Sequence, residues 1–162
     1  MSVQVGQEAP RFTLKTNKMQ DFDLAEARGK KNTVILFVPF AFTGGWTKEL
    51  CSVRDNINTL QNEENQVVAI SVDSPFSLDA WAGKEGYDFP LLSDFNKEVS
   101  QSYGSLYSEL LVFKGVAKRS AFVVDKSGTI RYAWVTEDAG KLPIDELAKI
   151  LDVRYMANGE LW

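Results

Sequence analysis

Apolar residues recur along this chain in two rhythms, and each predicts a different kind of element. Arg11-Phe12-Thr13-Leu14-Lys15 and Gln20-Asp21-Phe22-Asp23-Leu24 alternate at period two around the turn Thr16-Asn17-Lys18. That pattern predicts a β-hairpin with Phe12, Leu14, Phe22 and Leu24 on one face. Two runs, 33–38 (TVILFV) and 67–72 (VVAISV), are apolar but for Thr33 and Ser71 and do not alternate. Strands of that kind are covered on both faces, as in a parallel sheet. Between them Trp46, Leu50, Val53, Ile57 and Leu60 recur at spacings of four and three, which predicts a helix through about 46–64. Asp73-Ser74-Pro75 carries a turn and N-cap signal for a short helix at 76–84, closed by Gly86 and blocked by Pro90. Leu91-Leu92-Ser93-Asp94 is a brief extended segment ahead of a helix near 95–103, which Gly104 ends. Leu110-Leu111-Val112-Phe113 is apolar enough for a short strand. Residues 120–124 and 129–135 read as strands of a hairpin turned by Asp125-Lys126-Ser127-Gly128. Pro143 opens a last helix with Ile144, Leu147, Ile150 and Leu151 on one face, and 153–162 reads as a tail.

After the first hairpin the order is therefore β-α-β-α, an insert, then β-β-α. Two apolar strands joined by a helix imply a right-handed parallel unit. A closing hairpin and a final helix make the sheet mixed, with helices on its faces. The expected class is α/β, with 1–162 as a single domain. Its 162 residues suffice to bury roughly 70% of the unfolded surface without a staple.

Composition narrows the chemistry more than the fold. Eighteen Lys and Arg against 22 Asp and Glu give a net charge of −4, and the basic residues do not cluster. This argues against nucleic acid and against an anionic membrane as partners. The chain has no histidine and one cysteine. Cys-His and Ser-His dyads, an internal disulfide and Cys- or His-built metal sites are all excluded, so no metal and no cofactor is expected. The start, MSVQVGQE, has neither the basic nor the apolar region of a signal peptide. The longest apolar run, 34–42, contains Pro39 and is too short to span a bilayer. A cytoplasmic location is the expectation.

The chemistry-bearing stretch is 39–51, PFAFTGGWTKELC. It leaves the first buried strand, turns through Gly44 and Gly45, and enters the long helix. Such a turn presents unpaired N–H groups and the positive end of the helix dipole, a place for a thiolate, a phosphate or a peroxide oxygen. Pro-x-x-x-Thr-x-x-Cys at a strand-to-helix turn resembles the active-site signature of the peroxiredoxins. Pro39 and Thr43 fit that signature, and Trp46 stands in the cysteine slot. A further cysteine five residues on, Cys51, resembles the peroxiredoxin Q (bacterioferritin comigratory protein) subgroup. Residues 5–14, VGQEAPRFTL, are similar to the family's start, with Arg11 where an acidic residue is common. The resemblance runs over about 3–152 and implies a thioredoxin-like fold of peroxiredoxin type.

It also implies roles. Thr43 would contact peroxide and thiolate, backbone N–H groups near Gly45 and Trp46 would add donors, and Pro39 would shield the site from water. Arg119, in the sequence KRSAFVVD, matches the family's later arginine at a strand start. Glu49 would orient it. Cys51 would be the resolving cysteine. A helix N-terminus and a nearby arginine are the usual means of lowering a thiol's pKa from about 8.5. Taken singly, each residue has a plainer reading. Pro39 and the two glycines end a strand and shape a turn, Thr43 caps a helix, Arg119 is a solvated strand-edge charge, and Cys51 is a small buried hydrophobe.

Trp46 has no nucleophile, and its indole offers one N–H donor. Two origins stay open: a variant of an active enzyme, or a natural homologue that has lost the chemistry. The first function reading is a thiol peroxidase acting on hydrogen peroxide and alkyl hydroperoxides. Its electrons would come from a thioredoxin-like donor, and Trp46 would leave this chain inactive. The second is a non-catalytic binding or regulatory module that keeps the family's dimer surface. The third is a different thiol enzyme using Cys51. The resemblance implies a homodimer through the turn at 43–46 and the segment 76–82. There Phe40, Phe42, Trp46, Phe76 and Trp81 form an aromatic group, or else all five belong to the core.

Overall fold

The computed structural model describes residues 3–108, 112–136 and 146–147. Its centre is β3 (Asn32–Phe37), in which every residue is buried. On one side β3 pairs in parallel with β4 (Asn65–Ser71), with Val34 opposite Val67 and Phe37 opposite Ile70. On the other it pairs antiparallel with β6 (Arg119–Val124), with Phe37 opposite Ser120. With β1 (Thr13–Thr16), β2 (Asp21–Asp23), β5 (Leu91–Ser93) and β7 (Ile130–Thr136), the sheet runs β2-β1-β5-β4-β3-β6-β7. The class is the α/β, thioredoxin-like arrangement expected.

Both faces of the central strands are covered, which explains their non-alternating apolar runs. Val34, Leu36, Val38, Val67, Ala69, Ala121 and Val123 lie in one cluster with Leu50, Val53, Leu60, Leu78 and Trp81. These last five come from α1 (Gly44–Asp55), α2 (Ile57–Leu60) and α3 (Pro75–Glu85). Ile35, Phe37, Val68, Ile70, Phe122 and Val124 face the other way, against Phe12, Leu24, Val99 and Tyr103. Each fully buried Leu, Ile or Phe contributes about 1.5–3 kcal/mol relative to exposure. The two layers are thus the main source of stability. The first hairpin has the register its alternation predicts, with Leu14 opposite Phe22. Phe12, Leu14, Phe22 and Leu24 all join the second cluster.

The long helix expected at 46–64 is two helices. It begins at Gly44, breaks at Asn56 (φ −111°, ψ 17°) and ends at Leu60. The Asn56 side-chain amide donates to the Ser52 carbonyl, which also accepts from the Asn56 backbone N–H, so the junction is held by both groups of Asn56. Helix α3 starts where the Ser-Pro signal places it. The Ser74 hydroxyl accepts from the Ser77 N–H, and Gly86 closes the helix at φ 70°. The helix expected near 95–103 is α4 (Glu98–Ser102), one short turn after Lys97 in a left-handed conformation. Of the suggested strand at 110–113, Leu110 and Leu111 lie outside the described residues. Val112 is in a turn, Phe113 is an isolated bridge residue, and Leu106 and Ala117 form a further bridge nearby. Of the last helix, Glu146 and Leu147 are described; both are helical, and Leu147 is buried in the first cluster. The tail at 153–162 lies outside the described residues.

Candidate active site

Strand β3 leads into α1, and the chain between them carries the residues of the candidate site. Val38 and Pro39 are buried. The loop then turns outward through Ala41 and Phe42, and Phe42 takes φ 66°. Thr43 is extended (φ −81°, ψ 145°) and occupies the N-cap position of α1. It does not cap with its side chain, as the plainer reading had it. Its hydroxyl donates to the Phe40 carbonyl at 3.2 Å, while its carbonyl accepts from the Thr47 N–H. The first N–H groups of α1 therefore receive no side-chain cap from Thr43. The positive end of a twelve-residue helix is presented at the end of β3.

Arg119 comes to the same place from the neighbouring strand. Because Ser120 pairs with Phe37, the next step of the antiparallel register sets Arg119 level with Val38. Period-two alternation puts Arg119 on the face of Ala121 and Val123, the face that α1 covers. It is 5% exposed, so it is not a solvated strand-edge charge. Burying a guanidinium is costly unless it is engaged, and Arg119 is engaged with its surroundings, although its Nε makes no hydrogen bond. The fold thus brings Pro39, Thr43, the start of α1 and Arg119 to one end of adjacent strands. The side chains of Trp46 and Glu49 lie outside the described residues, and so does the orienting role suggested for Glu49.

Cys51 is elsewhere. It is half-buried against the first cluster. Its Sγ donates to Glu85 Oε2 at 3.4 Å and lies 3.8 Å from the Tyr87 hydroxyl. Tyr87 in turn donates to the Thr47 carbonyl at 3.2 Å. Burial, reinforced by Cys51 and Glu85, raises the Tyr87 pKa well above its ordinary value. Arg54, one turn beyond Cys51, donates to the Glu85 carbonyl. The end of α3 and the residues after it therefore strap the outer side of α1.

Sequence reasoning missed several of these groups. Trp81, read as a possible surface aromatic, is fully buried. Its indole N–H donates to Thr47 Oγ1 at 3.1 Å, and it lies edge-on to Tyr87. Asp73, read as part of a turn, accepts from the Ala41 N–H at 2.9 Å and so reaches the loop across 32 positions of sequence. The signal for Asp73 is its place just past the end of the parallel neighbour strand, beside the loop that leaves β3. Phe42 and Phe76 are exposed, by 50% and 72%, while Phe40 is half-buried and edge-on to Phe113.

The AhpC/TSA family model matches residues 5–133. The chain belongs to the AhpC/TSA family. This peroxiredoxin is 43% identical over 131 residues to alkyl hydroperoxide reductase E of Mycobacterium tuberculosis strain H37Rv, covering 80% of this chain and 83% of that one. It is 33% identical over 161 residues to the chloroplastic 2-cysteine peroxiredoxin of Chattonella marina var. antiqua, covering 93% and 80%. The crystal structure of Peroxidoxin BcpB from Mycobacterium tuberculosis superposes with a TM-score of 0.83 at 26% identity, covering 93% of this chain and 97% of that one. The Q-type resemblance of the 39–51 stretch is thus matched in whole-chain similarity. Among the described residues, no group of three His, Cys, Asp or Glu could hold a metal ion. No helix of the described residues is long and apolar enough to cross a membrane.

Proposed function

We propose that this peroxiredoxin is a thiol peroxidase scaffold whose own chemistry is blocked at Trp46. The observation that carries the reading is the meeting of Pro39, Thr43, the uncapped start of α1 and buried Arg119 at one end of β3 and β6, with Cys51 held apart beside Glu85 and Tyr87. With cysteine at 46, a thiolate there would attack the terminal oxygen of a hydroperoxide. An S–O bond would form and the O–O bond would break. The leaving alkoxide or hydroxide would take a proton, giving a sulfenic acid and an alcohol or water. Helix N–H groups, the Thr43 hydroxyl and the Arg119 charge would stabilise the negative charge as it passes from sulfur to the leaving oxygen. Attack by the Cys51 thiolate on the sulfenic sulfur would expel water and give a disulfide, which a thioredoxin-like dithiol would reduce. Tryptophan supplies neither the first bond nor a partner for the second.

Replacing Trp46 by cysteine tests this. The Trp46→Cys protein should consume hydrogen peroxide or cumene hydroperoxide at the expense of a thioredoxin system, and the unaltered chain should not. A Trp46→Cys protein that folds but is inert, or rapid peroxide oxidation of Cys51 in the unaltered chain, would overturn the reading.

A second reading, a non-catalytic dimeric module, is favoured by the aromatic surface beside the loop. Phe42 and Phe76 are exposed, Phe113 is 51% exposed and Val112 is 80% exposed. Aromatic anchors of this kind bury against their copies in a two-fold contact. Under either reading the chain is a homodimer. Sedimentation equilibrium showing a monomer at high concentration would remove that element.

A further inference from the structure

We propose that Asp73 is a positioning residue that sets the conformation of the loop 39–43, acting through the amide of Ala41. The loop holds a strained residue. A non-glycine residue at φ 66°, as in Phe42, is strained and persists where the surroundings over-determine it. The determining bonds flank it. On one side the Ala41 N–H donates to Asp73 Oδ2 at 2.9 Å. On the other, Thr43 donates to Phe40. The Asp73 bond is charge-assisted and is the stronger of the two.

Asp73 is itself fixed to the sheet. The Ser71 hydroxyl donates to the same Oδ2 at 2.8 Å, and the Asp73 N–H donates back to Ser71 Oγ at 3.1 Å. Ser93, at the end of β5, donates to the Asp73 carbonyl at 2.6 Å. Ser71 and Ser93 are buried and paired with each other in the β4–β5 register. Asp73 is therefore anchored to two strands of the sheet, by its carboxylate to β4 and by its backbone carbonyl to β5, and through Ala41 the carboxylate fixes the chain entering α1. Ala41 packs against the first core cluster, so its amide is held at a defined depth. Thr43 and the start of α1 take their places relative to Arg119 from that point.

The claim about the loop stands on geometry alone, and its kinetic consequence rests on the peroxidase reading. The first test uses the chain as it is, by amide hydrogen exchange at neutral pH. Asp73→Ala should speed exchange at Ala41 roughly tenfold or more, with the amides of β3 unchanged. Asp73→Asn, which keeps an acceptor oxygen, should stay close to the parent. Unchanged exchange at Ala41 in Asp73→Ala overturns the proposal, and so does Asp73→Asn matching Asp73→Ala. If Asp73→Ala does not fold, Ser71→Ala loosens the carboxylate and should give a smaller acceleration at Ala41; no acceleration counts against the proposal. The second test places Asp73→Ala and Asp73→Asn on Trp46→Cys. With hydrogen peroxide, kcat/KM should fall about tenfold for Ala and be largely rescued by Asn. Equal activity of the Ala form and its Trp46→Cys parent overturns the positioning role. Should Trp46→Cys itself be inert, the peroxidase reading fails, and the exchange result alone decides on Asp73.

Discussion

The indole N–H of Trp81 donates to the hydroxyl of Thr47 across 3.1 Å. This one bond ties the second turn of α3 to the first turn of α1, beside the loop that carries the site. Trp81 has no exposed surface and stacks edge-on with Tyr87. Trp81→Phe should therefore cost about 2 kcal/mol, from a partial cavity and a lost hydrogen bond. Urea denaturation at unchanged m-value would show it. A change under about 0.5 kcal/mol would mean that Trp81 does not hold α1.

In the Trp46→Cys protein, oxidation should unwind the start of α1. Five helical residues rise about 7.5 Å, more than the roughly 6.8 Å that a disulfide allows between Cα atoms. Bridging 46 to 51 must therefore break the Tyr87 and Trp81 bonds to Thr47. Peptide mapping should find the 46–51 link, and amides of 44–52 should exchange faster in the oxidised form than in the reduced. Oxidised protein with α1 equally protected would remove Cys51 from the resolving role.

Acid should weaken the fold partly through Asp125. Burial would raise its carboxyl, but the Ser127 hydroxyl, the Thr129 N–H and Arg131 outweigh burial and hold it below its ordinary value of 3.8. A depressed folded pKa means stability present above the unfolded value and lost as pH falls through the folded one. Asp125→Asn should be less stable than the parent at pH 7, by about 1–3 kcal/mol. It should also lose less on going below about pH 4. Parallel stability curves for the two proteins from pH 7 to pH 2 would contradict this.

Phe76→Glu should leave the monomer's stability within about 0.5 kcal/mol, because the ring is 72% exposed. It should dissociate the proposed dimer. Sedimentation velocity of the variant and parent at matched concentration decides it. A dimer that survives the charge lies on another surface, such as an edge strand.

The sheet was legible because burial on both faces leaves no alternation to misread: the runs at 33–38 and 67–72 became β3 and β4 within two residues. The helix break was not. Ile57 and Leu60 continue the stripe of Leu50 and Val53, and all four meet one cluster, so periodicity passes through Asn56 without a mark. At the candidate site, the resemblance picks out Pro39, Thr43 and Arg119, which the fold places at one end of β3 and β6. The burial of Arg119 was not legible, since an arginine at a strand start carries no sign of what covers it. Asp73 and Trp81 were missed for a different reason. Their bonds to Ala41 and Thr47 span 32 and 34 positions of sequence, and local pattern holds no record of partners so distant.

The interruption at Asn56 changes how disorder can spread. A continuous helix from 44 to 60 would fray as one cooperative unit, so that losing its first turns would loosen Leu60 in the core. Here α1 and α2 have separate ends, and Asn56 already supplies a hydrogen bond at the junction. Unravelling that begins at Gly44 can run out at the junction while Leu60 stays seated beneath it, fully buried. The chain can remodel one end of its helical layer and keep the other as ballast.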